Sequence, residues 1–434
     1  MQHTNHMVTQ TALSYAVRPK AWKRGPAVLP LLLYVYAFHA GLGIEFPIAN
    51  FVGNFGIGDL ALLCALMLLA VSNRTFRIAP VSLFPVALGI ISALSWALSP
   101  LHGWDNFRPD AWGFVVRWLS YAALLVIVPA IVVNQERLRW CLRWLTIGVL
   151  TQLLLAWLLW RLDPRFQFFG LPWLGSATFN ANTLGFYLAV SVPLLFAFLV
   201  QSRSWLVRSS MLALMAIVLV SAFFTSSKGA WATITVILGI SIIVSVFSRS
   251  RAGNGAVLAL ILAAGILTSY IYTGDTVLEL VQQRWAASAG SNLQRLEMIE
   301  AATEMAADHP LFGAGPKSYD SIGYLYARHE SDPHNVYVWL AAEIGLLGLS
   351  MYLLVLIVAL PYYWLRLRRI ERRSGSQQRF VFLGIVIAVV LMSFVTGLPA
   401  SDKVFWLTLS LLVAAQRIPA DDKPPNINRQ PASQ

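Results

Sequence analysis

The sequence predicts an all-α, polytopic membrane protein with about twelve transmembrane helices and one long loop late in the chain. Three observations carry this. The 434 residues are 57% hydrophobic and only 12% charged, with a mean hydropathy of +0.64, whereas soluble domains are about a quarter charged. Apolar runs recur along the whole chain, each near the ~20 residues that a helix needs to cross hydrocarbon. No alternation of period two is sustained, which excludes the pattern of an outer-membrane barrel.

In chain order, residues 1–26 are polar and basic, with no small-residue cleavage site leading into a soluble domain. They read as a cytoplasmic segment that acts as an uncleaved topology signal. Spans one to nine fill residues 27–272, at 27–45, 57–73, 80–98, 113–133, 140–160, 177–200, 209–227, 229–248 and 255–272. Residues 273–333 form the long outer loop, which holds nine of the twenty carboxylates. Three more spans lie within 334–418, at 335–365, 380–397 and 404–416. The run 335–365 exceeds one crossing, so its first turns project above the bilayer or the helix tilts. The tail 419–434 is rich in Pro, Asn and Gln and reads as disordered and cytoplasmic.

The formal charge of +12 does not imply nucleic acid, because Lys and Arg concentrate in the short gaps between apolar runs. With the N-terminus inside, the inner loops, the tail and Arg143 carry 22 of the 32 cations, including Arg366, Arg368, Arg369, Arg372 and Arg373. The inverted topology puts this excess outside. Cys64 and Cys141 lie in or beside apolar runs and form no disulfide framework.

Charge inside the spans is scarce, with Arg117 and Glu343 the clearest cases and Asp59 near a span end. An ion-coupled transporter would show more. The polar residues gather instead at the outer ends of spans. In Ser331-Asp332-Pro333-His334-Asn335, Asp332 suits an N-cap and Pro333 the first helical position. His334 then sits in the first turn of the tenth span, where the helix field attracts anions and keeps imidazole neutral, as a general base requires. A histidine that merely caps the helix is the alternative.

Ser291-Asn292-Leu293-Gln294 reads as a capping box that starts a helix over 292–307. Arg295 shares a face with Ile299, Ala302 and Ala306, opposite Glu297, Glu300, Glu304 and Asp308, and has no acidic residue at i±3 or i±4. It must meet an anion elsewhere, unless it snorkels to the interface. Lys228, in Thr225-Ser226-Ser227-Lys228-Gly229, is the only charge between 209 and 248, at an outer turn where lipid headgroups offer a simpler partner. Arg161 and Arg165 flank Asp163, and Lys317, Arg328 and Lys403 are further outer cations explained by ion pairing or solvation. Asn180 and Asn182 open the sixth span with two amides that suit capping or sugar hydroxyls. Gly313-Ala314-Gly315-Pro316 lacks the third glycine of a dinucleotide loop. Glu330 and Asp332 alone make a poor metal site, and no metal or other cofactor is expected. Glu343 lies nine residues after His334, half a turn round a continuous helix, and reads as structural.

Phe179-Asn180-Ala181-Asn182, Thr225-Ser226-Ser227-Lys228-Gly229, Arg295, His309-Pro310-Leu311-Phe312-Gly313-Ala314-Gly315-Pro316, and His334-Asn335 with Glu343, Gly345 and Gly348 follow one another in that order. This succession resembles the bacterial O-antigen ligase and O-antigen polymerase superfamily over residues 170–350. The resemblance implies a GT-C-like glycosyltransferase of the inner membrane whose outer loop is periplasmic. It implies transfer of O-antigen glycan from undecaprenyl diphosphate to a sugar of the lipid A–core oligosaccharide, without a metal. The family's essential histidine matches His334 and its essential basic residues match Arg295 and Lys228. Many relatives carry Arg at the latter position, and Lys lacks its bidentate grip on phosphate. Direct attack at the anomeric carbon implies inversion, with Arg295, Lys228 and Arg165 facing the departing diphosphate and His334 serving as base or as a diphosphate ligand. Arg161, Asn180, Asn182 and Asn335 are the further candidates for binding diphosphate or glycan. Polymerase, protein O-oligosaccharyltransferase and non-enzymatic flippase are the rival readings.

Overall fold

A computed structural model describes residues 28–43, 46–47, 54–55, 57–72, 78–99, 111–163, 167–168, 171–172, 180–202, 204–225, 227–246, 293–326, 333–366, 378–395 and 402–418. The chain is an all-α membrane protein. Its helices are α1 (Val28–Leu42), α2 (Ile57–Val71), α3 (Leu83–Ala97), α4 (Ala111–Ile131), α5 (Gln135–Leu162), α6 (Ala181–Gln201), α7 (Trp205–Thr225) and α8 (Lys228–Val246). Then follow α9 (293–308), α10 (Ser318–Tyr326), α11 (Val336–Leu354), α12 (Gln378–Met392) and α13 (Lys403–Ala415). Two antiparallel pairs of two residues each, Phe46–Pro47 with Asn54–Phe55 and Gln167–Phe168 with Leu171–Pro172, are the β-structure among the described residues.

Eleven of the twelve expected spans coincide with helices; the ninth, 255–272, lies outside the described residues. Among the described residues, six helical stretches are long and apolar enough to cross a membrane, and five apolar helices are shorter. Hydropathy alone missed a helix start and a break. The fifth span was expected to start at 140, but α5 starts at Gln135, because Asn134 accepts the Arg137 N–H and caps a polar first turn. The long tenth run, 335–365, is not one straight helix. It is interrupted at Gly345 (φ 71°, ψ −178°), widens into a π-helical turn over Val355–Ala359, and continues to residue 366.

Helix α6 is the axis of the bundle. It packs against α5, α7, α8 and α12, and 89% of its most apolar window is buried. Helix α7, with only 22% of its window buried, shows its apolar side chains to the surroundings, as a lipid-facing helix does. A second seam joins α13 to α4, where Trp406 stacks on Tyr121 with centroids 5.3 Å apart and meets Trp118 edge-on at 5.8 Å. Helices α1 and α5 cross at Gly41 and Gly148, where a Cβ on either would overlap the other helix's backbone. Small residues are the usual means of such close crossings in membranes.

Candidate active site

Four helices begin at one end of the bundle, and each is capped by a side chain. Asn180 Oδ1 accepts the N–H groups of Asn182 and Thr183 at the start of α6. Ser227 Oγ accepts the Ala230 N–H at the start of α8. Asn335 Oδ1 accepts the N–H groups of Tyr337 and Val338 at the start of α11. Asp402 Oδ1 accepts the Val404 N–H at the start of α13, and its Oδ2 accepts from Tyr187 Oη at 3.2 Å. Such caps satisfy the amide groups that a helix start leaves open.

The cap of α11 corrects the sequence reading. Asp332 was expected at the N-cap, with His334 in the first turn. Asn335 takes that place instead, being as good a cap as Asp, and the helix starts at Val336. His334 therefore precedes the cap, in the left-handed region at φ 49°. Asp332 and Glu330 lie outside the described residues. Beside the cap, Asn335 borders a groove of about 500 Å³ between α11 and α12, lined by Tyr337, Val338, Leu353, Val390 and Phe394.

Two of the predicted site residues, Lys228 and His334, lie at helix starts that pack against one short stretch. Lys228 is the exposed first residue of α8. Its neighbour Gly229 lies against Val395 and Met392, while the Val336 N–H donates to the Ser393 carbonyl at 2.9 Å. The short stretch Met392–Val395 thus separates the start of α8, with Lys228, from the start of α11, with His334. The amide of Asn182 belongs to the same group, because Ser227 Oγ donates to Asn182 Oδ1 at 2.8 Å. Ser227 and Ser393, which sequence reasoning passed over, are the residues that knit these starts together. Both stand beside helix ends, which is the signal that a capping argument uses.

The helix of Arg295 packs against α10 and the middle of α11. The capping box predicted helix 292–307, and α9 runs over 293–308. Its buried face is Met298, Ala301, Ala302 and Met305, with Glu297, Glu300, Glu304 and Asp308 exposed. Ala302 and Met305 pack with Ala342 of α11 and with Tyr319 and Ile322 of α10. Arg295 is half-buried on the continuation of that face, and desolvation lowers its pKa from the ordinary arginine value. Among the described residues no carboxylate pairs with it.

The other candidates divide. Arg161, exposed in the last turn of α5, lies over the Trp160 ring at 5.7 Å. Arg165 and Arg328 lie outside the described residues. Ion pairing accounts for Lys403, which meets Asp59, and for Lys317, whose Nζ is 3.1 Å from Asp320. Burial pulls the Lys317 pKa down, but the carboxyl groups of Asp320 and Glu343 outweigh it and set it above the ordinary lysine value. Among the described residues no three His, Cys, Asp or Glu side chains are grouped as metal ligands.

Glu343 is structural, in a way the sequence did not reveal. The loop 309–317 is sewn into the break of α11. Ala314 N–H donates to the Ala342 carbonyl at 2.9 Å and Gly315 N–H to the Glu343 carbonyl at 3.0 Å, while Leu346 N–H donates to the Pro310 carbonyl at 2.8 Å. Glu343 Oε2 accepts the Lys317 N–H at 2.9 Å. From α3, Ser95 Oγ donates to the Glu343 carbonyl and Ser99 Oγ to the Ala314 carbonyl. The exposed backbone of a broken membrane helix is tolerated only where protein re-satisfies it.

Residues 213–353 match the family described as O-Antigen ligase, a stretch that contains Lys228, Arg295, His334 and the break in α11 at Gly345. No curated protein matches the chain.

Proposed function

We propose that this chain is an O-antigen ligase of the O-antigen ligase/polymerase superfamily, a group of glycosyltransferase-like membrane enzymes, a reading supported by the family match over residues 213–353. It transfers O-antigen glycan from undecaprenyl diphosphate to the lipid A–core oligosaccharide, at the periplasmic face of the inner membrane, with both termini in the cytoplasm. The observation that supports this best is the approach of the Lys228 and His334 helix starts from two sides onto Met392–Val395. The N-termini of α6, α8 and α11 add partial positive charge there, which favours an anionic headgroup.

In this scheme, His334 takes the proton from an acceptor hydroxyl as its oxygen attacks the anomeric carbon. The carbon–oxygen bond to the diphosphate breaks on the opposite face, and the configuration inverts. The leaving lipid diphosphate gathers negative charge. Arg295 and Lys228 hold it, with Arg165 and Arg161 as further candidate cations, in place of a metal. The amides of Asn182 and Asn335 have their Oδ1 atoms engaged, and their NH2 ends are offered to glycan hydroxyls or phosphate oxygens; Asn180, whose Oδ1 caps α6, is a further candidate for glycan contact.

A deletion strain tests the reading. Long glycan stranded on undecaprenyl diphosphate, with core-only lipopolysaccharide, is the expected result. A lipopolysaccharide capped by a single repeat would identify a polymerase instead, and intact lipopolysaccharide with unmodified protein would identify a protein oligosaccharyltransferase. Glycan retained on the cytoplasmic side would identify a flippase. In membranes containing the active protein, transfer is expected to persist in EDTA; loss of activity restored by Mn or Mg would overturn the metal-free scheme.

A further inference from the structure

The buried carboxyl of Glu343 takes no part in the mechanism above, yet it is the side chain through which α11 grips the loop. We infer that Glu343 is a positioning residue: by clamping the loop 309–317 in the break of α11, it holds the helix of Arg295 in register with the helix start that carries His334. The inference rests on the proposed glycosyl transfer for its kinetic readout only.

The chain path makes the loop a rigid coupling. Helix α9 runs into it without a gap, since His309 N–H donates to the Met305 carbonyl and Gly313 N–H to the His309 carbonyl. Within the next few residues the loop gives N–H bonds to the Ala342 and Glu343 carbonyls and accepts from the N–H groups of Leu346 and Leu347. At its far end the Lys317 N–H meets the Glu343 carboxyl, and Lys317 stands at φ 65° to allow it. Helix α10 then turns back, and Tyr319 Oη donates to the Met298 carbonyl at 3.1 Å, one turn from Arg295. The main-chain bonds are common to any sequence of this shape. The carboxyl bond depends on the side chain, and Glu343 is 1% exposed. Glu343 lies roughly 10 Å along α11 from its first residue at 1.5 Å per residue, so it acts on the site through the loop.

The test uses the full-length protein with Cys64 and Cys141 replaced by Ala and spin labels at Glu300→Cys and Ile357→Cys. With Glu343→Ala, the distance distribution between the labels should broaden. The kcat for glycan transfer should fall about 10²-fold, since small misplacements of reacting groups have effects of that order. Donor and acceptor KM should stay within about threefold, as expected when only transition-state contacts suffer. Glu343→Gln keeps the acceptor oxygen, so it should retain the narrow distribution, most of the turnover and the wild-type pH profile. If Glu343→Ala fails to fold, Glu343→Asp, one methylene shorter, provides the same comparison. A narrow distribution with full kcat in the shortened variant would overturn the inference. So would Glu343→Gln as inactive as Glu343→Ala with the labels still in register, because the carboxyl would then act by its charge. If no variant and no wild-type protein transfers glycan, the proposed function fails while the label distances still decide the clamp.

Discussion

Replacing His334 by alanine is expected to leave a protein that is made and inserted but gives about 10²–10⁴-fold less transfer, the usual worth of a positioned general base. The measurement is lipopolysaccharide laddering in a complemented deletion strain, with turnover in isolated membranes. The backbone at His334 is left-handed, a conformation that penalises alanine and tolerates asparagine. His334→Asn is therefore the cleaner variant: it removes the base and spares the backbone. Normal laddering from either variant would refute the assigned role. Loss in His334→Ala with activity kept in His334→Asn would reduce the histidine to a backbone or ligand function.

The second large effect is expected at Gly345. Its φ of 71° with ψ of −178° lies in a region essentially closed to residues with a side chain, and a Cβ there would overlap the Leu311 carbonyl and crowd the Gly313 amide. Gly313 faces it with φ 71°, and a Cβ there would overlap the Glu343 backbone. Gly345→Ala should therefore cost about 3 kcal/mol or more. That is roughly a hundredfold in the ratio of folded to unfolded protein. Two controls grade the effect. At Gly348 a methyl meets the Ile344 side chain and no backbone, at an ordinary helical φ, and at Gly239 it meets nothing within 4 Å. Monodisperse yield and melting temperature in detergent should fall in the order Gly345→Ala, Gly348→Ala, Gly239→Ala. Equal behaviour of Gly345→Ala and Gly239→Ala would show that the break in α11 is dispensable.

The membrane class was legible because it rests on composition and on runs of apolar length, which need no tertiary information. The position of α9 was legible for a similar local reason: the pattern of acids against Met298, Ala302 and Met305 declares its buried face. The start of α11 was not legible to the residue. Asp332 and Asn335 both satisfy the chemistry of a cap, and only tertiary packing, through the bond from Val336 to Ser393, selects Asn335. The break in α11 escaped because hydropathy is blind to a glycine in an apolar run. Its cause lies some thirty residues earlier, in a loop whose Gly313 and Gly315 look like turn residues and nothing more. That the helix starts of Lys228 and His334 both pack on Met392–Val395 escaped for the same reason, since the end of α12 carries neither residue.

The sewn joint makes α11 a ruler. Nine residues, Val336 to Ile344, separate the capping Asn335 from Gly345, roughly 14 Å of helix at 1.5 Å per residue. With the joint fixed at one end, adding or deleting one residue in that stretch would swing His334 about 100° round the axis and leave the joint intact. Relatives that keep this chemistry are thus bound to a spacing, and a change in it would mark a chain whose histidine has been retired or turned to another substrate.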